Sequence, residues 1–251
     1  MLLRARERSS VTSVRNGLSV IQLSVRIRMA SAVSGRPIEM RQTASNNTLD
    51  FLPGHKTLPL LRTALQDCRG CDLYRFATQA VFGEGARSSK LVFIGEQPGD
   101  EEDRQGLPFV GPAGRLLNRA LEEAGIDRST VYVTNAVKHF KFEERGKRRI
   151  HKKPSGVEIR ACRPWLEAEL QLIKPEVLVC LGATAALSVF GAAYRVTRDR
   201  GTFVSHPWAA QATSTVHPSV VLRAPDEESR HREYHAFVAD LQKVRAILRR
   251  E

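Results

Sequence analysis

The run Leu91-Val-Phe-Ile94 passes directly into Gly95-Glu-Gln-Pro-Gly-Asp-Glu-Glu-Asp103, and this junction decides the fold. Four consecutive apolar residues closed by a glycine read as a strand buried on both faces. Working outward, Ala113 to Ala124 reads as a helix, opened by Gly111-Pro112 and closed by Gly125. Val131 to Val137 reads as a second strand. Gly156 to Ile173 reads as a long helix, with apolar positions 159, 162, 166, 170 and 173 at helical spacing. Val177 to Leu181 is a third strand, followed by Gly182 and an Ala-rich helix to Phe190. Thr202 to Ser205 and Thr213 to Val216 read as short strands, Leu58 to Gln66 and Glu227 to Arg249 as helices. Strands alternating with helices predict an α/β chain, a parallel sheet covered on both faces. Ligands of such sheets sit outside the carboxyl ends of the strands. That rule points to the segments after Ile94, after Val133 and after Val216.

The 251 residues suffice for one sizeable core, and 42% apolar with 26% charged residues is an ordinary globular balance. No run approaches the roughly 18 apolar residues of a membrane span. The formal net charge of +12 favours a polyanionic partner, nucleic acid before anionic membrane. Half of that excess lies in residues 1–41, where eight Arg face only Glu7 and Glu39. Residues 1–43 therefore read as a disordered basic tail. The composition is that of a transit peptide, but a start assigned too early is the preferred reading, since Met29 and Met40 could each begin the protein. Folding is expected over 44–251.

Five segments carry candidate chemistry. The acidic turn Gly95 to Asp103 lacks the Gly-Lys-Ser/Thr of a nucleotide loop, and at a strand end its carboxylates could orient water or stabilise a cation. Phe109, inside Pro108-Phe-Val-Gly-Pro-Ala-Gly114, could stack on an extruded base or plug the core. Asn135 ends the second strand with an amide suited to a pyrimidine edge, or to a plain turn. Lys147-Arg-Arg-Ile-His-Lys-Lys153 lies in a long strand-to-helix connection, Lys138 to Pro154. Neighbouring cations disfavour imidazolium at His151, which leaves a neutral ring able to act as a nucleophile; a phosphate-binding loop is the alternative. In His217-Pro-Ser-Val-Val-Leu-Arg223 the His could stabilise an anionic leaving group, and Val220-Val-Leu222 with Arg223 could wedge a duplex and hold a phosphate.

Four cysteines in a chain without a secretory pattern suggest a reducing compartment and free thiols. Cys68-x2-Cys71 is followed by Cys162 and Cys180. One close pair with two dispersed members fits an iron–sulfur cluster better than tetrahedral zinc. The alternative leaves Cys180 as a buried strand residue.

Together these segments resemble the family 4 uracil-DNA glycosylases over about residues 55 to 248. The resemblance rests on Gly-Glu-x-Pro-Gly-x-x-Glu-Asp at 95–103, Pro-Phe-Val-Gly at 108–111, the cysteine spacing and His-Pro-Ser at 217–219. Gln97 and the loop ending in Arg149-Ile-His151 are similar to the UdgX-type branch, whose members bind uracil-DNA irreversibly. The resemblance implies a three-layer α/β/α sandwich around a four-stranded parallel sheet, with a [4Fe–4S] cluster on Cys68, Cys71, Cys162 and Cys180 in a structural role. It implies that Phe109 stacks on uracil, Asn135 pairs with its polar edge and His217 supports the departing anion. Glu96 would sit against the sugar and orient or deprotonate His151, with Gln97, Asp100 and Asp103 completing the pocket wall. Gly95, Ser219, Arg149 and Arg223 are counted with the substrate-contacting residues. The expected activity is excision of uracil, single strands preferred, followed by covalent capture on the deoxyribose C1′ through His151. A turnover glycosylase of base excision repair and a non-catalytic iron–sulfur binding module are the alternatives. The expected setting is a bacterial cytoplasm at the nucleoid, as a monomer without nucleotide cofactor or membrane.

Overall fold

A computed structural model describes residues 47–249; the basic tail assigned to residues 1–43 lies outside them. In chain order the elements are α1 (Leu58–Leu65), β1 (Leu91–Gly95), α2 (Asp100–Gln105), α3 (Pro112–Glu123), β2 (Val131–Asn135), β3 (Phe142–Arg145), β4 (Arg148–His151) and α4 (Gly156–Ile173). They continue with β5 (Val177–Leu181), α5 (Ala183–Phe190), α6 (Val196–Asp199), β6 (Val204–His206), β7 (Ala209–Thr215), α7 (Pro218–Leu222) and α8 (Glu227–Leu248).

The main sheet runs β2-β1-β5-β7-β6. Its first four strands are parallel, with Leu91 opposite Val131 and Val177, and Val177 opposite Gln211. The expected four-stranded parallel sheet is therefore present, and β6 adds an antiparallel fifth strand at the β7 edge. Only Pro207 and Trp208 separate β6 from β7, and so short a connection can join only antiparallel neighbours.

Side chains divide across this sheet by parity, as the strand pleat requires. Leu91, Phe93, Val131, Val133, Val177 and Val179 face a core shared with α3 and α8. Val92, Ile94, Tyr132, Leu178 and Cys180 face the opposite core, under α4 and α5. A third apolar cluster lies between α1 and α4. Ser155 caps α4: its hydroxyl accepts from Glu158 N, while the Glu158 carboxylate accepts from Ser155 N at 2.6 Å. A reciprocal cap of this kind contributes about 1 kcal/mol. The predicted apolar stripe of α4 (Ile159, Cys162, Leu166, Leu170, Ile173) is buried throughout.

One expectation changes. Lys138 to Pro154 contains an ordered hairpin, β3 paired with β4, with Phe142 opposite His151. Gly146 at φ +60° opens its two-residue turn, a conformation that a glycine adopts without steric penalty.

Candidate active site

Four segments leaving the carboxyl ends of adjacent strands build the site: Glu96 after β1, Asn135 at the end of β2, Thr184 after β5 and His217 after β7. Gly95 makes their approach possible. A Cβ there would lie 2.3 Å from Asn135 Oδ1 and 2.7 Å from Phe109 Cζ. Asn135 is buried, and its side chain makes no hydrogen bond among the described residues, so its amide edge is free for a ligand.

Phe109 is also buried, at φ +58°, a left-handed conformation that costs a non-glycine residue about 1–2 kcal/mol. The surrounding contacts hold it there. Gly114 packs directly on the Phe109 backbone. The Glu102 carboxylate accepts from Gly111 N at 2.8 Å and Gly99 N at 3.1 Å, fastening the acidic turn to the Phe109 segment. The sequence reading did not single out Glu102; its spacing three residues after the helix-opening Gly99 was the available signal. The Phe109 ring lies 6.4 Å from that of His217, tilted by 31°.

His217 Nδ1 accepts from Ser219 N at 3.2 Å and lies 2.7 Å from the Ser219 hydroxyl. Burial, then the positive charge of Arg223 and of His151, pushes its pKa down to about 4. At neutral pH the ring is uncharged with Nδ1 as acceptor, so its proton resides on Nε2.

His151 ends β4, half exposed, with Nε2 3.3 Å from Glu96 Oε1. Thr184 donates to the other Glu96 oxygen and fixes that carboxylate. Burial and Arg223 lower the His151 pKa below the ordinary 6.5, and Glu96 partly offsets them.

The hairpin that carries His151 is clamped to the acidic turn. Gln97 Nε2 donates to the carbonyls of Lys141 (3.0 Å) and Lys152 (3.2 Å), and its Oε1 accepts from Lys141 N at 3.2 Å. Arg149 donates to Asp100 at 2.5 Å and Asp103 at 2.6 Å, beneath which lie the Phe140 and Phe142 rings. Asp103, wholly buried, also accepts from Thr78 N at 3.0 and 3.1 Å. The polar groups of Gln97, Asp103 and Arg149 are therefore engaged within the protein. For Arg149 these partners are not legible in the sequence, because a linear basic run gives no sign of an ion pair to a carboxylate 46 or 49 residues away.

Comparison with known proteins fits this geometry. The family model of the uracil DNA glycosylase superfamily matches residues 82–242. The chain belongs to this superfamily. Within it, the chain is similar to type-4 uracil-DNA glycosylases. One from Thermotoga maritima is 36% identical over 196 residues, 77% of this chain and 96% of the relative. Others are from Sulfurisphaera tokodaii, 33% identical over 180 residues (68% and 78% of the two chains), and Archaeoglobus fulgidus, 34% over 168 residues (64% and 81%). The chain is a family 4 member of the superfamily.

The segment leaving β2 also carries an ion pair that the sequence did not reveal. Lys138 and Glu169 meet at 2.8 Å with both side chains fully buried. Thr134 bridges them, donating to Glu169 at 2.7 Å, and Glu169 Oε1 accepts from Gly83 N at 3.1 Å. The network fixes the chain on both sides of Asn135. At the opposite rim Arg223 is exposed, as are Val220 and Leu222 on α7.

The four cysteines divide. Cys68, Cys71 and Cys162 share the cluster between α1 and α4. Trp165 Nε1 donates to Cys68 Sγ at 3.1 Å, and Lys138 N donates to Cys162 Sγ at 3.2 Å. Cys180 instead lies in β5, opposite Ile94 and Ser214, within the core under α4 and α5.

Proposed function

We propose that this chain excises uracil from DNA and then remains bonded to the deoxyribose C1′ through His151. The observation that carries this reading is the His151–Glu96 contact of 3.3 Å, which brings the end of β4 to the segment leaving β1, on a hairpin clamped by Gln97 and Arg149. Uracil enters because Phe109 offers a face and Asn135 an unengaged amide edge, and leaving the stack costs least from a single strand. The bond from C1′ to uracil N1 breaks with its electron pair going to the base, and the neutral His217 Nε2–H supports the anion. The sugar passes through an oxocarbenium-like state. An unprotonated His151 nitrogen donates its pair to C1′. The positive charge left on the ring faces Glu96 until the remaining ring N–H proton passes to solvent. Imidazole bonded to carbon is a poor leaving group, so the adduct persists. Arg223, with Val220 and Leu222, would meet the phosphate backbone and the opened stack.

A [4Fe–4S] cluster is part of this reading, in a structural role. Cys68, Cys71 and Cys162 fit it, coming from α1's exit and from α4 into one apolar cluster. Cys180 does not fit, lying in a different core. Among the described residues no three Cys, His, Asp or Glu groups come close enough to hold a single ion.

The test is denaturing electrophoresis after mixing the protein with a uracil-containing single strand. A protein–DNA band that survives heat and detergent is expected. Free abasic product without that band would identify a turnover glycosylase. Neither product nor band would identify a binding module.

A further inference from the structure

The division of the cysteines leaves the cluster one donor short, and the segment leaving β2 supplies another. Val137 belongs to the same apolar cluster as Cys68, Cys71 and Cys162. The next residue, Lys138, donates its backbone N–H to Cys162 Sγ at 3.2 Å. The residue after that is His139, whose Cα is about 3.8 Å further along the chain. His139 is only 4% exposed. Its ring makes no hydrogen bond, ion pair or ring contact among the described residues. Asp103 lies within electrostatic reach of it, but the Asp103 oxygens accept from Thr78 and Arg149. A buried imidazole that bonds to nothing in the protein calls for an explanation.

We propose that the cluster is held by Cys68, Cys71, Cys162 and His139, and that Cys180 is a packing residue of β5. The proposal rests on the iron–sulfur reading above and changes its ligand set. Neutral imidazole is an established substitute for thiolate on cluster iron, where it raises the reduction potential. His139 is also the position from which a ligand would act on function. Asn135 precedes it by four residues and the Gln97-clamped Lys141 follows it by two. The cluster would therefore fix the path between the pocket and the hairpin.

Iron and acid-labile sulfide are measured, with the visible band near 400 nm, in the full-length protein and in Cys180→Ala, His139→Ala and His139→Cys. Electron paramagnetic resonance of the reduced protein carrying 15N-histidine reads the ligand directly. Cys180→Ala should keep full iron and an unchanged spectrum. His139→Ala should lose at least one iron in four, or the whole cluster. His139→Cys should regain four irons with a lower reduction potential, and the wild type should show a coupled histidine nitrogen that this variant lacks. Loss of iron in Cys180→Ala, or full iron with no nitrogen coupling in the wild type, would overturn the ligand assignment while leaving the cluster in place. A wild-type protein without iron would instead overturn the cluster reading, and this proposal with it.

Discussion

His151 and His217 are both held uncharged at neutral pH, for different uses. On the proposed reading, His217 presents Nε2–H to a departing anion and His151 keeps a free electron pair beside Glu96. Replacing His151 with Ser removes the nucleophile without filling the pocket. It should abolish the cross-link while uracil release continues with water as the attacking group, as read by gel and by mass spectrometry of the free base. Trapping should also follow the neutral fraction of His151, whose pKa lies below 6.5. Its rate should fall on the acid side with a midpoint below pH 6.5; a midpoint above 6.5 would contradict the assignment. His217 makes a separate contribution to stability. With a folded pKa of about 4 against an ordinary 6.5, the unfolded chain binds more protons between those values. The stability present above pH 6.5 is therefore lost as pH falls toward 4, by an amount on the order of 3 kcal/mol. Denaturant melts across that window should be flatter for His217→Gln. At this scale the sequence showed Glu96, Asn135 and His217 because each ends a strand, where the fold rule looks. It did not show Thr184, Glu102 or Lys138, whose partners lie 88, 9 and 31 residues away.

On the proposed reading the hairpin β3–β4 is the element that would separate trapping from turnover, because it carries His151. Its hold on the acidic turn depends on the Arg149 fork, which a point charge cannot reproduce. Arg149→Lys should slow cross-linking by about tenfold or more and affect uracil release less, since a small displacement of a reacting group is costly. Single-turnover measurement of both products checks this. Equal loss of both would place Arg149 in base recognition instead. The strands β1, β2 and β5 and the helices α1, α3, α4, α5 and α8 were legible because their apolar runs or periods are long and their ends carry glycine, proline or a capping serine. The short helices α2, α6 and α7 and the start of β7, residues 209–212, carry too little pattern to show. The hairpin was not, because β3 and β4 are mostly charged and partly exposed, which masks alternation; Gly146 was its only turn signal. The antiparallel β6 was read as a strand, but its direction follows from the two-residue link to β7.

At the scale of the whole molecule, two forces matter most. The net charge of +12 should make DNA binding steeply salt-dependent. Engagement of about six phosphates would weaken binding roughly a thousandfold between 50 and 200 mM salt. Fluorescence anisotropy with a uracil-free strand isolates this term from the chemistry. The fully buried Lys138–Glu169 pair ties the exit of β2 to α4. Glu169→Ala leaves Lys138 charged without a partner and should cost about 3–5 kcal/mol, lowering the melting temperature by roughly 6–20 °C for a domain of this size. A fall of less than about 2 °C would mean that water or another group replaces the carboxylate.

The most direct test of the whole account is to digest the heat-stable protein–DNA complex with protease and nuclease and locate the sugar by tandem mass spectrometry. The account predicts a deoxyribose adduct on the imidazole of His151 and on no other residue. A sugar attached to a lysine of the same basic run, or a complex that falls apart on denaturation, would contradict it.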